Sequence, residues 1–186
     1  MKTSNPLKSV RDTPQWLVDK MWNIINNDIQ TIISDTKKLL EPSAGVGNLL
    51  NNTYAKVFDI TCIELNKDKC DALQDKGYKP LHGDFMKMSL DDNTFDVILA
   101  APPFNVNIDL IHIVNMYRLL KPGGIIVTLT SPYWLTNNEE HQVAFRSFLD
   151  GKDYSMEMAP DNTFIEKKKT VPTAILTLRK KVLPGQ

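Results

Sequence analysis

Phe95-Asp-Val-Ile-Leu-Ala100 is apolar at every position except Asp96, and it runs directly into Ala101-Pro102-Pro103. A strand without a polar face must be covered on both sides, the condition of a parallel sheet flanked by helices. Ile125–Leu129 repeats the pattern, and Val57–Glu64 is rich in β-branched and aromatic residues. Segments of helical periodicity lie between these runs. Thr13-Pro14 reads as an N-cap followed by a first-turn proline, ahead of a face of Trp16, Val18, Met21, Trp22, Ile25 and Ile29. Lys67–Lys76 is a helix closed by Gly77, and Asn138–Leu149 is another. Ile108–Leu120 is a third, with Leu110, Ile111, Val114 and Tyr117 on its apolar face. Short strands at Lys38–Leu40, Lys79–His82, Tyr154–Met158 and Val171–Leu178 complete the alternation. The expected class is α/β: a Rossmann-like, mostly parallel central sheet of about seven strands with helices on both faces.

At 186 residues the chain suffices for one sizeable core. Residues 1–12 are polar and read as a flexible arm, and 13–186 as the domain. Twenty-two lysines and arginines balance 22 acids, so no global field announces a polyanionic partner. Nucleic-acid binding would then need a local surface, and Lys167-Lys168-Lys169 is the candidate patch. Cys62 falls in an apolar run and reads as a buried thiol, whereas Cys70 reads as a surface thiol on a helix. His82 reads as structural, and His112 and His141 as exposed helix residues. No metal-ligand spacing, secretory segment or membrane-length apolar run is present, so a soluble, cytoplasmic protein without a membrane partner is expected.

In such sheets ligands bind at the carboxyl ends of the strands. The first strand ends in Glu41-Pro-Ser-Ala-Gly45-Val-Gly47, where missing Cβ atoms let backbone approach a ligand, and Gly45–Asn51 is expected to begin a helix. Leu50 replaces the third glycine of the dinucleotide fingerprint, which argues against a pyrophosphate cradle and a nicotinamide dehydrogenase. Glu64 ends the second strand 19 residues after Gly45, where a carboxylate can accept from both ribose hydroxyls. Asp84 follows the third strand, placed for an exocyclic adenine amine with Phe85 beside the ring. Acids ending three successive strands suit a cationic sulfonium nucleoside and would repel phosphates.

Across roughly residues 13–180 these motifs resemble the class I S-adenosylmethionine-dependent methyltransferases. The resemblance implies that Glu41, Gly45 and Gly47 flank the methionine moiety, Glu64 the ribose and Asp84 the adenine. It also implies cofactor contacts from Thr13, Pro14, Pro42, Ser43, Ala44, Leu65, Phe85 and Ala100. Lys121-Pro-Gly-Gly124 before the next strand is a further family feature. Amino-group methyltransferases place Asn/Asp/Ser-Pro-Pro-Tyr/Phe/Trp where this chain has Ala101-Pro102-Pro103-Phe104. The order of the Thr13–Val18 helix, the glycine loop and Pro-Pro-Phe resembles the adenine-N6 type, as does Pro160-Asp-Asn-Thr-Phe164 near the end. That family implies catalysis by the tetrapeptide, with Phe104 as a stacking platform for a base taken out of its helix. The remaining acceptor-side candidates are Asn105, Ser131, Tyr133, Trp134, Phe164 and Lys167–Lys169. For Ser131, Tyr133 and Trp134, core packing or loop anchoring is an equal alternative.

A purine amine is a poor nucleophile, because its lone pair is delocalised into the ring. Two carbonyl acceptors, one from a side chain and one from backbone, would favour a pyramidal nitrogen aimed at the methyl donor. Ala101 removes the side-chain acceptor. The expectation is an adenine-N6 DNA methyltransferase whose catalytic Asn is replaced by Ala, an inactivated variant that retains its cofactor. Alternatives are a catalytically silent S-adenosylmethionine-binding subunit, or a methyltransferase acting on cytosine-N4, RNA or protein glutamine. DNA is favoured over RNA as partner, with sequence specificity from loops, from residues 135–170, from a homodimer or from a specificity subunit.

Overall fold

The computed structural model of the chain describes residues 13–29, 37–103, 108–166 and 169–182. Four helices, α1 (Gln15–Ile29), α2 (Lys67–Asp75), α3 (Ile108–Leu119) and α4 (Glu140–Leu149), alternate with strands. These are β1 (Lys37–Glu41), β2 (Phe58–Glu64), β3 (Leu81–His82), β4 (Phe95–Ala100), β5 (Leu120–Thr130), β6 (Asp153–Met158), β7 (Ile165–Glu166), β8 (Lys169–Thr170) and β9 (Ala174–Arg179). Seven form one sheet in the order β3-β2-β1-β4-β5-β9-β6. Neighbours pair parallel from β3 through β5, and β9 inserts antiparallel between β5 and β6. The Rossmann-like α/β architecture with helices on both faces is as expected. Among the described residues no helix is long and apolar enough to cross a membrane.

The side-chain alternation of β4 builds two cores. Val97 and Leu99 join Leu17, Met21 and Trp22 of α1 and Leu73 of α2 on one face. Ile98 and Ala100 join Leu110, Ile113 and Met116 of α3 and Phe145 of α4 on the other. The one polar residue of β4 is explained by its neighbours. Asp96, 4 % exposed, takes the Lys121 ammonium at 3.0 Å and the Lys38 amide at 2.8 Å.

Several local expectations are corrected. The helix expected from Gly45 is absent: residues 42–50 form turns, followed by a 3-10 turn over Thr53–Val57. Gly45 and Gly47 both hold left-handed backbone, at φ of 57° and 84°, which cannot start a right-handed helix. Asn48, Asn51 and Asn52 favour turns over helix, and Asn52 caps the 3-10 turn by accepting from the Tyr54 amide at 3.0 Å. The buried face of α3 is Leu110-Ile113-Met116-Leu119, with Ile111 and Val114 more than 40 % exposed. Eight of the residues of α3 are apolar or aromatic, so the i, i+3, i+4 rule fits more than one rotation, and packing on the sheet chose among them. Leu17 rather than Trp16 points inward on α1, and the side chain of Ile29 lies outside the described residues.

Cys70 and His112 are buried rather than exposed. The Cys70 Sγ donates to the Glu64 carbonyl at 3.4 Å, and His112 packs edge-on against Phe85. Desolvation holds the imidazole pKa below its ordinary value, a shift that the nearby Asp84 carboxylate opposes. His141 is exposed, as expected, and a His82 ring nitrogen lies 3.1 Å from the Leu65 carbonyl. The small β7–β8 hairpin was not anticipated.

Gly47 carries a packing constraint as well as a conformational one. A Cβ there would sit 2.9 Å from Leu73 Cδ2, whereas at Gly45 it would meet open space. Gly45→Ala should therefore cost about 1–2 kcal/mol, from left-handed backbone strain alone. Gly47→Ala should cost about 2–4 kcal/mol, because overpacking adds to the strain. Urea unfolding of the two variants checks the order, and equal losses would remove the packing argument.

Candidate functional site

Period-2 alternation also decides what gathers at the carboxyl edge of the sheet. Glu41, one step beyond Leu40, and Glu64, one step beyond Ile63, fall on the α1 side of β1 and β2. Ala101 does the same after Ala100 on β4, and packs against that core. A cleft on this side is lined by Thr13, Glu41, Ser43, Ala44, Gly45, Val46, Asn48, Leu49, Lys69 and Ala101. The helix start, the glycine loop and the first residue of the tetrapeptide thus share one cavity.

The loop is held from beneath. Glu64, 8 % exposed, accepts the Gly45 amide on Oε2 and the Asn66 amide on Oε1, both at 2.7 Å. One carboxylate thereby clamps the loop to the start of α2. Each of its oxygens keeps a lone pair for a further donor, such as a ribose hydroxyl.

Glu41 is different. It is 1 % exposed, its Oε2 has no hydrogen-bond partner, and its pKa is raised to about 8. Burial is the main cause and the Glu64 charge adds to it. Buried polar groups are otherwise almost always satisfied, so an orphaned carboxylate oxygen beside a cleft marks a place for a cationic or hydrogen-bonding ligand.

Other expected residues are placed less directly. Pro14 immediately precedes α1, its carbonyl accepting from Leu17 and Val18. Pro42, Gly47 and Pro102 are buried, and Pro103 is half-buried. Leu65 is 58 % exposed beyond β2. Asp84 caps the short turn Phe85–Lys87, accepting the Met86 amide at 3.0 Å, and pairs with Lys87 at 3.4 Å.

Three aromatics and Ala100 sit in core packing. Ala100 and Phe85 belong to the core on the α3 side, Phe85 packing against His112. Trp134 is 2 % exposed and crosses Phe145 at 5.1 Å between centroids, so it is a core residue rather than a cleft wall. Phe164 is 6 % exposed within the α1-side core. Tyr133 is half-exposed and Lys169 exposed. Phe104, Asn105, Lys167 and Lys168 lie outside the described residues.

Two residues were missed. Lys69 lines the cleft from the first turn of α2, where sequence shows only another charge on a polar helix. Asp109, 2 % exposed at the start of α3, accepts from Thr130 Oγ1 and from the Ser131 amide, both at 2.9 Å. It ties the segment after the tetrapeptide to the end of β5, and Ser131 Oγ in turn lies 3.4 Å from the Tyr133 amide it caps. Burial raises the Asp109 pKa, against hydrogen bonds that lower it. Asp109→Ala strands the Thr130 and Ser131 donors and should lose about 1–3 kcal/mol in urea unfolding. Loss of less than that with an unchanged Tyr133 environment would show that the tie does not hold this turn.

Residues 40–128 match the family model of the methyltransferase domain. A demethylmenaquinone methyltransferase of Bacillus cereus is 34 % identical over 73 residues, 39 % of this chain and 31 % of the relative. The matched segment is thus about a third of that relative's length. Among solved structures, a Listeria monocytogenes protein assigned to the class I S-adenosylmethionine-dependent methyltransferases superposes with a TM-score of 0.70. Identity is 16 %, over 96 % of this chain and 65 % of that one. The methyltransferase subunit of a type I restriction-modification system from Streptococcus thermophilus also gives 0.70, at 16 % identity over 94 % and 46 %. The likeness to the methyltransferase domain model thus spans residues 40–128, and the likeness to the solved structures extends the Rossmann-like fold over nearly the whole chain.

Proposed function

We propose that the cleft transfers methyl groups to the N6 amine of adenine in DNA, by a mechanism in which Ala101 leaves one acceptor missing. The observation that carries the reading is the position of Ala101-Pro-Pro at the end of β4, with Ala101 lining the same cleft as Glu41 and Gly45. S-adenosylmethionine supplies an electrophilic methyl on a sulfonium. The protein's part is positioning and electrostatics. The buried acids Glu41 and Glu64 favour a cationic nucleoside, and Glu64 has lone pairs for the ribose. The Pro102 carbonyl accepts one N–H of the target amine, and an Asn at position 101 would accept the other. By the motif alone, Phe104 and Asn105 are assigned to the acceptor, together with Ser131 and Tyr133 on the turn that Asp109 holds.

The likeness to a restriction-modification methyltransferase subunit supports a nucleic-acid acceptor and a specificity partner. The test is methyl transfer from radiolabelled S-adenosylmethionine to DNA, RNA and protein by the Ala101→Asn protein. Label in DNA, released on digestion as N6-methyldeoxyadenosine, is the expected result. Label in RNA or protein alone reassigns the acceptor. A protein inert on all three that still binds cofactor is instead a silent subunit, the second reading, which the lack of a side-chain acceptor at Ala101 favours.

A further inference from the structure

The loop after Gly45 divides its backbone groups by sign. Val46, Asn48 and Leu49 line the cleft, and among the described residues their N–H groups take no partner. Every carbonyl from Val46 to Asn51 is engaged. Those of Gly47 and Asn48 accept from amides within the loop, and that of Leu50 accepts from the Asn52 amide. Side chains outside the loop reach the others: Lys76 at Val46, Trp22 at Leu49 and Gln15 at Asn51, with Tyr78 joining at Leu50. The loop therefore keeps its donors for the cleft, with its acceptors occupied.

Two of the free amides end hydrogen-bonded chains. None of the described peptide bonds is cis, so the N–H and C=O of each peptide unit point in opposite directions. The Trp22 indole Nε1 donates to the Leu49 carbonyl at 2.7 Å. The N–H of that peptide unit, on Leu50, donates to the Gly47 carbonyl at 3.2 Å, whose own unit ends in the free Asn48 amide. A second chain runs beside it. The Tyr78 hydroxyl donates to the Leu50 carbonyl at 3.2 Å. The Asn51 amide of that unit donates to the Asn48 carbonyl at 3.1 Å, whose unit ends in the free Leu49 amide. Each link polarises the next in the same sense, which makes the terminal N–H a stronger donor.

Both side chains are set by the surrounding fold. Trp22 is fully buried on α1 and lies 5.8 Å from Phe58 between ring centroids. Gly77 ends α2 in left-handed backbone at φ of 87°, and the Tyr78 amide returns to the Leu73 carbonyl at 3.1 Å. The Tyr78 ring then comes within 3.8 Å of where a Cβ on Gly47 would stand. Neither side chain lines the cleft.

Resting on the assignment of this cleft to S-adenosylmethionine, we infer that Trp22 and Tyr78 are positioning residues for cofactor binding. Each acts through two peptide units, aiming and polarising the Asn48 and Leu49 amides toward acceptor atoms of the ligand. The two chains take the place of the helix that does not follow this glycine loop.

The experiment compares the full chain with Tyr78→Phe and Trp22→Phe, each of which removes one donor and keeps an aromatic ring. Calorimetric titration with S-adenosylhomocysteine reads affinity, and nitrogen–proton correlation spectra of the ligand-free proteins read the loop amides. Tyr78→Phe should weaken binding roughly threefold to tenfold, the range of one neutral hydrogen bond. Trp22→Phe should weaken it more, because the Leu49 carbonyl is left without a donor. In the spectra, Tyr78→Phe should move the Leu49 amide more than the Asn48 amide, and Trp22→Phe should do the reverse. Should Trp22→Phe fail to fold, the Tyr78→Phe affinity and shifts decide. Unchanged affinity in folded Tyr78→Phe protein would overturn the inference. So would equal shifts of both amides, the mark of a loop that has only loosened. An unaltered chain that binds no S-adenosylhomocysteine overturns the cofactor reading and this inference with it, whereas binding that the variants fully retain sinks this inference alone.

Discussion

Ala101→Asn is expected to raise the rate of methyl transfer roughly a hundred- to a thousandfold, equivalent to about 2.7–4 kcal/mol of transition-state stabilisation. The magnitude is that of restoring one preorganised hydrogen-bond partner at the reacting group. Ala101 is half-buried and borders the cleft, so the longer side chain has a direction to grow that does not enter the α1-side core. The gain should appear in kcat, since the new acceptor holds the amine in its reactive pyramidal form. Affinity for S-adenosylhomocysteine should not change, because the restored amide serves the acceptor rather than the cofactor. Single-turnover kinetics with saturating cofactor separates these quantities. A rate gain that came only with tighter cofactor binding would place position 101 on the wrong side of the site.

Cofactor binding at pH 7 should expel about one proton, and Glu41→Gln should abolish that release. The Glu41 carboxyl titrates near pH 8 in the folded protein against an ordinary value of 4.5, so at neutrality it is mostly protonated. A cationic ligand group beside its orphaned oxygen favours the carboxylate and drives the proton off. Titrations in two buffers of different ionisation enthalpy measure the release. Constant heat across buffers would mean that Glu41 does not face the cation.

The same shift sets a stability trend. Between about pH 4.5 and pH 8 the native state holds a proton that the unfolded chain has lost, so stability falls as pH rises. The Glu41 contribution is fully present below 4.5 and is lost as pH rises through 8, at up to about 1.4 kcal/mol per pH unit. Glu41→Gln should flatten that slope in urea unfolding. An unchanged slope would show that another group carries it.

The two acids illustrate how far the sequence reaches. Both end a strand and both were legible as cofactor-facing positions. Only the packing distinguishes Glu64, whose two oxygens each take a backbone amide, from Glu41, which has an oxygen without a partner. That difference depends on how the loop folds back over β2, which no local spacing encodes.

What sequence alone determined was the α/β architecture, the covering of β4 on both faces, and the strand ends at which chemistry gathers. Those follow from apolar runs, glycine placement and the period-2 geometry of strands, all of which are local. The tertiary structure decided the rest. It replaced the helix after the glycine loop with turns, because two left-handed glycines and three turn-favouring asparagines outweigh the apolar pair Leu49-Leu50. It rotated the buried face of α3, and it placed Trp134 and Phe164 in the cores rather than on the cleft. It also brought Lys69 to the site and tied Asp109 to Ser131, joining residues that lie far apart along the chain. An apolar or charged residue can be recognised from its type. Which surface it faces is settled only when the helices dock on the sheet, because burial there is shared among residues that no short window contains.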